Sequence, residues 1–577
     1  MASRNPTHQP PADALMQSAG ITSTGRIPTT SGILSTLRTG SLPRTDIRNL
    51  SLLMLGFLLV LLLIPPARAY PMIDDWVYAR SSQGLLNGIF TPHDYTEANA
   101  FGHNIFGALA ISLLGFSFTS LSITNLFVSA ACLAIFYILL RHLDVAPAPA
   151  LWGTAILGLN PLYLHLSYSF MTDVTFLAYV LLACLCYVRG MQGHSHAWLW
   201  VGALAAALSF LTRQYGILLV PAALAYLWWS RRWTWRNALA VAAIPIVVLV
   251  AYLLWDMTLP PRLVSFIVED HQSYAAQHPL QYVEWRVQRI SWALSVLGLC
   301  LLPLAILPRR PLIAVPFFGL LLFFQFQGLQ LAGTLFPQNG NIIDHTGLML
   351  FSYNAAPIWN EAIWSFLGIA SSLALSLFLA ACAEQSWRWL LSRPWRERAG
   401  DAALLLYSLG LMTAGVILFV TPSLFDRYWL ALLPIAILAS LKLLASRHTP
   451  VPLAHFHLRW LFMLPVALFS LISQGDYSQH AQARWQAAEQ LAAQGVPRRQ
   501  IDAGYEWAGL YLYDEGAARI RAEGDFTNIP FPAHATLDPE YTISDIQLPG
   551  YAQIGSIPYT SWLTGGQQRN VLLLKRD

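Results

Sequence analysis

Long apolar segments, separated by short polar connections, make up most of this chain. The first of them, Leu50 to Ile64, is followed by Pro65 and Pro66 and is apolar enough to cross a bilayer. The pattern predicts thirteen crossings, near residues 48–66, 120–140, 150–166, 174–188, 197–212, 215–229, 237–255, 289–306, 312–331, 362–382, 402–420, 427–445 and 459–473. An odd number of crossings places the two termini on opposite sides of the membrane.

One apolar segment does not fit this series. Residues 104–119 are apolar but short, and a full crossing here would move Arg141 and His142 to the outer side. We therefore expect a tilted or interfacial helix. A true span with a compensating error elsewhere is the alternative, since the segment is close to the minimum length for a crossing.

Composition agrees with a polytopic, all-α membrane protein. Hydrophobic residues make up 55% of the 577 positions and charged residues 11%, and the mean hydropathy is +0.48. The formal net charge of +4 is a poor guide to partners, and nothing in the chain suggests nucleic acid. Arginines concentrate in the connections predicted to be cytoplasmic, which favours an N-terminus inside and a C-terminus outside.

Three regions follow from these patterns. Residues 1–47 are rich in Ser, Thr and Pro and are expected to form a disordered cytoplasmic tail, not a signal peptide. Residues 48–473 form the predicted transmembrane domain, with a first outer loop at 67–119. Residues 474–577 have the composition of a small soluble domain, which we expect outside the membrane.

The C-terminal region has the periodicities of a small α/β domain. Residues 481–494 have helical spacing before the stop at Gly495, and the segments YTISDIQL and NVLLLKR are typical of strands. We recognise no catalytic motif in this region.

Charged residues at the predicted outer face are the candidates for chemistry. Asp74 and Asp75 stand just beyond the first crossing, where an acidic pair can hold a cation or accept a proton. Asp173 stands where one crossing ends and the next begins, either as a functional acid or as a helix N-cap. Arg213 and Arg427 lie on the predicted outer side, where the positive-inside rule makes arginine uncommon. Each is therefore either a phosphate ligand or a helix-end anchor.

Several short motifs, taken in order, resemble a known family. They are IDDWVYA, TEANAFGHNIFGALAISLLG, LNPLYLHLSYSFMTDVTFLAYVLLA, FLTRQYGILLVPA and FDRYWLALLP. Over residues 48–445 the chain resembles the GT-C membrane glycosyltransferases, and more narrowly the dolichyl-phosphate-mannose protein mannosyltransferases and aminoarabinose (ArnT-like) transferases. The first outer loop of that group carries an Asp-Asp or Asp-Glu pair.

The resemblance implies transfer of a sugar from a polyprenyl-phosphate donor to a hydroxyl acceptor, with inversion, at the outer face of a bacterial cytoplasmic membrane. Asp74, or less readily Asp75, is the expected general base. Asp173 is expected to help hold the acceptor or a metal, and the carboxylates permit Mg²⁺ or Mn²⁺. Further residues are expected to bind the substrates: Arg213 and Arg427 at the donor phosphate, Tyr428 and His103 as lining groups, and Asp426 beside Arg427.

Two other functions remain open at this stage. A transporter or flippase of a lipid-linked sugar would also need many helices, and Gln325, Gln327 and Gln330 inside predicted spans keep it open, although the sequence has no internal repeat and the candidate groups cluster at one face. A scaffold or sensor explains the topology but not the acidic positions. The sugar, the acceptor and the length of the polyprenyl chain cannot be read from the motifs.

Overall fold

The computed structural model describes residues 43–96, 98–304, 308, 310–332, 341–348, 357–392, 401–421, 424–446, 453–524, 526 and 531–577. The chain divides into two compact units, residues 1–49 and 50–577. In the first unit the described residues form the start of one helix, at Arg44. Residues 1–42 of the predicted tail lie outside the described part of the chain.

Helices account for most of the described residues between 44 and 493. They are α1 (Arg44–Leu63), α2 (Asp75–Leu86), α3 (Phe101–Leu114), α4 (Phe118–His142), α5 (Pro147–Gly158), α6 (Pro161–Tyr168), α7 (Thr172–Gln192), α8 (His196–Thr212), α9 (Leu219–Trp229), α10 (Trp235–Asp256), α11 (Leu263–Gln277), α12 (Pro279–Leu301), α13 (Ala314–Ala332), α14 (Glu361–Ser392), α15 (Ala403–Phe419), α16 (Leu433–Ala445) and α17 (Leu453–Ala493). A short hairpin of β1 (Ile343–Asp344) and β2 (Gly347–Leu348) lies between α13 and α14.

Five of these helices, α1, α4, α7, α10 and α14, are long and apolar enough to cross a membrane. Seven further apolar helices in the described residues are shorter. The predicted polytopic, largely helical architecture is therefore confirmed, whereas the number of thirteen crossings stays a prediction. The segment expected to be interfacial forms α3, which has 14 residues.

The centre of the helical domain is α7, with α4 and α8 packed along it. Nearly all of its side chains are buried, including Val174, Leu181 and Tyr187. The short helix α6 precedes it, and Asn125 on α4 donates hydrogen bonds to the carbonyl oxygens of Leu166 and Ser169 around the α6–α7 turn. These bonds satisfy buried backbone groups and fix the turn that adjoins the candidate site.

The C-terminal region contains the expected sheet, with more strands than the sequence indicated. Its order is β3 (Ile501–Asp502), β4 (Tyr541–Ser544), β6 (Gln567–Arg576), β5 (Tyr551–Ser561), where β3 pairs with β4 in parallel and the other pairs are antiparallel. The strand predictions at β4 and β6 are confirmed. Helix α18 (Tyr505–Glu523) connects β3 to the rest of the sheet.

The last predicted crossing and the first predicted helix of the C-terminal domain form one continuous helix, α17. Its later turns pack against β5 and β4. Asp476 accepts a hydrogen bond from the Ser561 hydroxyl on β5, and His480 lies 2.8 Å from Asp545, the residue after β4. The C-terminal region is thus attached to the helical domain through an unbroken helix at residue 473.

Close packing also holds α18 against α2. A Cβ atom added to Gly509 would lie 2.4 Å from Cε2 of Trp76, whose side chain is fully buried. Real Cβ atoms do not approach a ring so closely, so a larger residue must push the two helices apart. Gly509 therefore allows the C-terminal domain to lie directly over the helix that begins at Asp75.

We predict that Gly509→Ala lowers stability by about 1–3 kcal/mol, because the added methyl group overpacks the contact with Trp76. Thermal unfolding in detergent would measure the loss. Gly319→Ala is the matched control, since no atom lies within 4 Å of its added Cβ and alanine favours the helix. Equal unfolding midpoints for the two variants would contradict the packing role of Gly509.

Candidate active site

The two adjacent carboxylates, Asp74 and Asp75, point in different directions. Asp75 is fully buried, and its side chain accepts hydrogen bonds from Arg68 at 2.5 Å, from the Met72 amide at 3.1 Å and from the Phe170 amide at 2.7 Å. Asp75 therefore connects the end of the first crossing to the α6–α7 turn. Since its donors leave it no route to solvent, we infer a structural role for Asp75.

Asp74 stands at the N-cap position of α2, but its side chain makes no capping hydrogen bond. The residue before it, Ile73, has a φ of 54°, which is rare for a β-branched residue and is held here by the surrounding contacts. This backbone turn directs the Asp74 carboxylate away from the helix and into a cavity. Its side chain is 20% exposed, in contrast to the fully buried Asp75.

The cavity has a volume of about 660 Å³. Four of the residues singled out from the sequence line it, namely Asp74, Arg213, Arg427 and Tyr428. They come from the first outer loop, from the end of α8 and from the turn before α16. The tertiary fold thus places three separate sequence motifs around one space, as the expected site requires.

Arg427 and Arg213 lie on the same part of the cavity. Nη1 of Arg427 is 3.4 Å from Oδ2 of Asp74, and both guanidinium groups lie near the ring of Tyr428, at 5.8 Å and 5.6 Å from its centroid. Nε of Arg427 is buried with no hydrogen-bond acceptor in the described residues. Buried guanidinium groups of this kind suit the binding of a planar or tetrahedral anion.

Asp173 contacts Arg213, which lines the cavity. Its carboxylate lies 2.7 Å from Nη2 of Arg213, and Nε of the same arginine donates to the Thr172 hydroxyl. The N-cap position of α7 is Met171, so the alternative of Asp173 as the helix cap is wrong. Asp173 instead fixes the orientation of Arg213, and its own side chain does not line the cavity.

His103 and Asp426, both expected near the substrates, do not line the cavity. The two ring nitrogens of His103 lie 2.8 Å from the Thr175 hydroxyl and 3.1 Å from the Phe170 carbonyl, so the imidazole is satisfied within the fold. Asp426 is buried and accepts hydrogen bonds from the backbone amides of residues 341–343. It thereby anchors the segment that enters β1, next to Arg427.

The C-terminal domain supplies several of the lining residues that sequence reasoning missed. The Tyr505 hydroxyl donates a hydrogen bond of 2.5 Å to Oδ1 of Asp74, and Asp502, Phe531 and His534 also line the cavity. Gly504 precedes Tyr505 with a φ of 91°, a conformation that turns the chain from β3 into α18. No motif flagged these residues, although the Gly-Tyr step at a strand-to-helix junction is a visible signal.

Two tyrosines keep their protons beside Asp74. Burial and then the neighbouring Asp74 carboxylate raise the pKa of Tyr505 well above its usual range. The same two causes, in the same order, raise the pKa of Tyr78. Both phenols are therefore neutral at physiological pH, and Tyr505 acts as a hydrogen-bond donor to the carboxylate.

The three aspartates suggested as metal ligands are not gathered into a donor set. Each contacts a different arginine: Asp74 with Arg427, Asp75 with Arg68 and Asp173 with Arg213. Among the described residues, no group of three or more His, Cys, Asp or Glu side chains is arranged to hold a metal ion. The aspartates as arranged do not fit a shared divalent cation, and anion binding is better assigned to the arginines.

Residues 99–255 match the family model of the dolichyl-phosphate-mannose-protein mannosyltransferases. The family resemblance indicated by the motifs is confirmed over this segment, which includes Asp173 and Arg213 but not Asp74 or Arg427. No curated protein gives a significant sequence match.

Two proteins are among the solved structures with similar chains. ArnT from Cupriavidus metallidurans bound to undecaprenyl phosphate is 13% identical, with coverage of 91% of this chain and 97% of that chain and a TM-score of 0.45. The apo form of the same protein has the same identity and coverage and a TM-score of 0.46. The archaeal oligosaccharyltransferase AglB from Archaeoglobus fulgidus was solved in complex with an inhibitory peptide and a dolichol-phosphate. It is 12% identical, with coverage of 87% of this chain and 61% of that chain and a TM-score of 0.39.

The different surroundings of the paired aspartates lead to opposite expectations for their substitution. Asp75→Asn should lower stability by about 3–5 kcal/mol, because it leaves the buried Arg68 guanidinium without its counter-charge. Asp74→Asn should cost about 1 kcal/mol or less, since that side chain is partly exposed. Thermal unfolding of the two variants in the same detergent would compare them. A loss of equal size would contradict the division of roles.

Proposed function

We propose that the chain is an integral membrane glycosyltransferase that moves a sugar from a polyprenyl-phosphate donor to a hydroxyl acceptor at the outer face of the membrane. The observation that carries the proposal is the single cavity in which a partly exposed carboxylate, Asp74, faces two buried arginines, Arg213 and Arg427. Asp74 and Arg427 lie 3.4 Å apart. A base this close to an anion site suits a displacement at carbon in which a phosphate leaves.

Asp74 is the general base in this proposal. The acceptor hydroxyl attacks the anomeric carbon, and its proton passes to the Asp74 carboxylate as the bond to the donor phosphate breaks. A single displacement inverts the anomeric centre. Tyr505 already donates to Oδ1 of Asp74 at 2.5 Å, so the place beside this carboxylate is one that a hydroxyl group can reach.

Arg427 and Arg213 stabilise the leaving phosphate. The phosphate gains negative charge as the glycosidic bond breaks, and cations fixed before the reaction lower the energy of that state without reorganising. Asp173 and Thr172 hold Arg213, whereas Asp74 itself contacts Arg427. Base and anion site are therefore adjacent, because Nη1 of Arg427 lies 3.4 Å from Oδ2 of Asp74, while the nearby Asp173 carboxylate also acts on Arg427.

The lipid nature of the donor rests on the family-model match and on the setting of the site among apolar helices. We place the protein in the cytoplasmic membrane of a bacterium, with the N-terminus inside and residues 474–577 outside. The sugar is left open.

A transporter or flippase of the same lipid is the alternative function. Gln325, the polar residue within a predicted span that suggested it, donates to the hydroxyls of Ser295 and Ser372 at 2.7 Å and 2.6 Å. It therefore links α13 to α12 and α14, as a structural residue would. The side chains of Gln327 and Gln330 lie outside the described residues.

Substitution of the base tests the proposal. Asp74→Asn should lower the rate of sugar transfer by about 10²–10⁴-fold, because the carboxylate no longer accepts the acceptor proton. The assay measures transfer of radiolabelled sugar from a panel of polyprenyl-phosphate sugars by purified protein in liposomes. Asp514→Asn is the control, since Asp514 lies on α18 with its side chain 77% exposed. Full activity of the Asp74 variant would overturn the assignment, and lipid crossing without consumption would favour the flippase.

Substitution of the cation tests the anion site separately. Arg427→Gln should reduce kcat by about 10²–10³-fold, because the leaving phosphate loses a fixed positive charge. Steady-state kinetics with varied donor would measure the effect, and Arg80→Gln, a variant on α2 outside the cavity, serves as the control. If the arginine merely anchors its helix, Arg427→Gln would lower stability without this change in kcat.

A further inference from the structure

The two sides of the active-site cavity differ in chemistry. The side formed by the helical domain carries both arginines, Arg213 and Arg427, together with Asp74 and the rings of Tyr78, Tyr215, Phe425 and Tyr428. The other side is formed by the C-terminal domain. Its described lining residues are Asp502, Gly504, Tyr505, Phe531, His534 and Leu537, with no arginine or lysine among them.

Three aromatic rings form a continuous surface, two of them on this second side and one from residues 67–119 beside it. Tyr95 of the first outer loop, Tyr505 and Phe531 all line the cavity, and we call them the aromatic wall. The ring centroids of Tyr505 and Phe531 are 4.6 Å apart, and those of Tyr95 and Phe531 are 5.1 Å apart. All three side chains are only partly buried, so part of each ring remains open to the cavity.

Other buried aromatic side chains pack against the aromatic wall and restrain its rings. The fully buried Trp76 packs against Tyr95 at 6.0 Å and against Phe531 at 6.2 Å between ring centroids. Tyr513 of α18 belongs to the same cluster. A rigid aromatic surface loses little conformational entropy when a ligand lies on it, which favours tight binding.

The wall is also directly joined to the base. Tyr505 is at once a member of the wall and the hydrogen-bond donor to Asp74. Carboxylate oxygens have about four lone-pair positions between them, so Asp74 can accept a further hydrogen bond from a hydroxyl beside Tyr505. A molecule lying on the wall would therefore present its hydroxyl at the base.

From this arrangement we propose that the acceptor is a neutral carbohydrate, whose ring lies on the aromatic wall while one of its hydroxyls faces Asp74. The inference rests on the proposed transferase function and adds its acceptor class. The C–H bonds on one face of a pyranose carry a slight positive charge and pack against the negative face of an aromatic ring. Asp502 at the edge of the wall can accept hydrogen bonds from the other hydroxyls.

Two other acceptor classes fit this side of the cavity less well. A phosphorylated saccharide lipid needs cations, and the arginines of the cavity already face Asp173 and Asp74 on the opposite side. A serine or threonine peptide presents a backbone that needs its own donors and acceptors. The described wall is built instead mainly of ring surface, which suits a sugar.

The first experiment supplies donor in excess and offers three acceptors separately: neutral oligosaccharides, phosphorylated saccharide lipids, and Ser/Thr peptides. Purified wild-type protein in liposomes should glycosylate the neutral oligosaccharides at least about tenfold faster than either of the others. Preferred transfer to the phosphorylated lipid or to the peptide would overturn the carbohydrate assignment while leaving the transferase intact. If no acceptor is modified and no donor is consumed, the proposed function itself fails.

The second experiment tests the wall with whichever acceptor is modified. Phe531→Leu should raise the KM for acceptor at least about tenfold and the KM for donor much less, because the donor lies on the arginine side. Phe531→Tyr keeps the ring and should retain the wild-type acceptor KM. Tyr511→Leu, on the same domain but packed on Trp485 and Trp507 outside the cavity, is the control.

Thermal unfolding of each variant keeps the result interpretable. A Phe531→Leu protein that unfolds near the wild-type temperature but has an unchanged acceptor KM would refute the wall as the acceptor site. Should Phe531→Leu fold poorly, Tyr95→Leu gives the same comparison from the other edge of the wall, with the same expected rise in acceptor KM.

Discussion

Arg68 and Asp75 form an ion pair that is almost completely withdrawn from solvent, with side chains 4% and 0% exposed. Two charges in such a place are stable only if hydrogen bonds satisfy them, and the amides of Met72 and Phe170 complete the set around Asp75. This cluster ties the end of the first crossing to the start of α7. It also fixes the turn at Ile73 from which the neighbouring carboxylate projects.

The position of Asp74 depends on that cluster. Because consecutive residues at a helix start point in different directions, burial of Asp75 in the protein directs Asp74 outward, into the cavity. One member of the acidic pair therefore provides stability and the other is left for chemistry. A similar division holds for Asp173 and Arg213, where the carboxylate orients the cation without facing the cavity itself.

The C-terminal domain completes the site instead of merely following it in sequence. The unbroken helix α17 attaches it, Gly509 lets α18 approach Trp76, and Tyr505 reaches the carboxylate of Asp74. In consequence, the cavity joins a side from the helical domain that carries two arginines to a side from the C-terminal domain whose described lining residues include no arginine or lysine. In the proposed reaction, this division separates the site of the leaving phosphate from the site of the acceptor.

The apolar periodicity determined the helical membrane architecture, and the motif order determined which charges to consider. Asp74, Arg213, Arg427 and Tyr428 were found in this way, because charges are costly near a bilayer and stand out from their surroundings. The resemblance placed Asp74 before Asp75 as the base, but the sequence gives no physical difference between two identical side chains at adjacent positions. Their difference comes from Arg68 and Phe170, which lie close only in the folded chain.

The structure alone decided that His103 and Asp426 are internal hydrogen-bonding residues and that Tyr505 and Phe531 belong to the cavity. Aromatic residues are common throughout this chain, so their composition gave no reason to single out these two. The sequence by itself determined the class of protein and most of the charged site, since both follow from local hydropathy and charge. Tertiary packing decided the role of each side chain, because burial and hydrogen bonding depend on residues far apart in sequence.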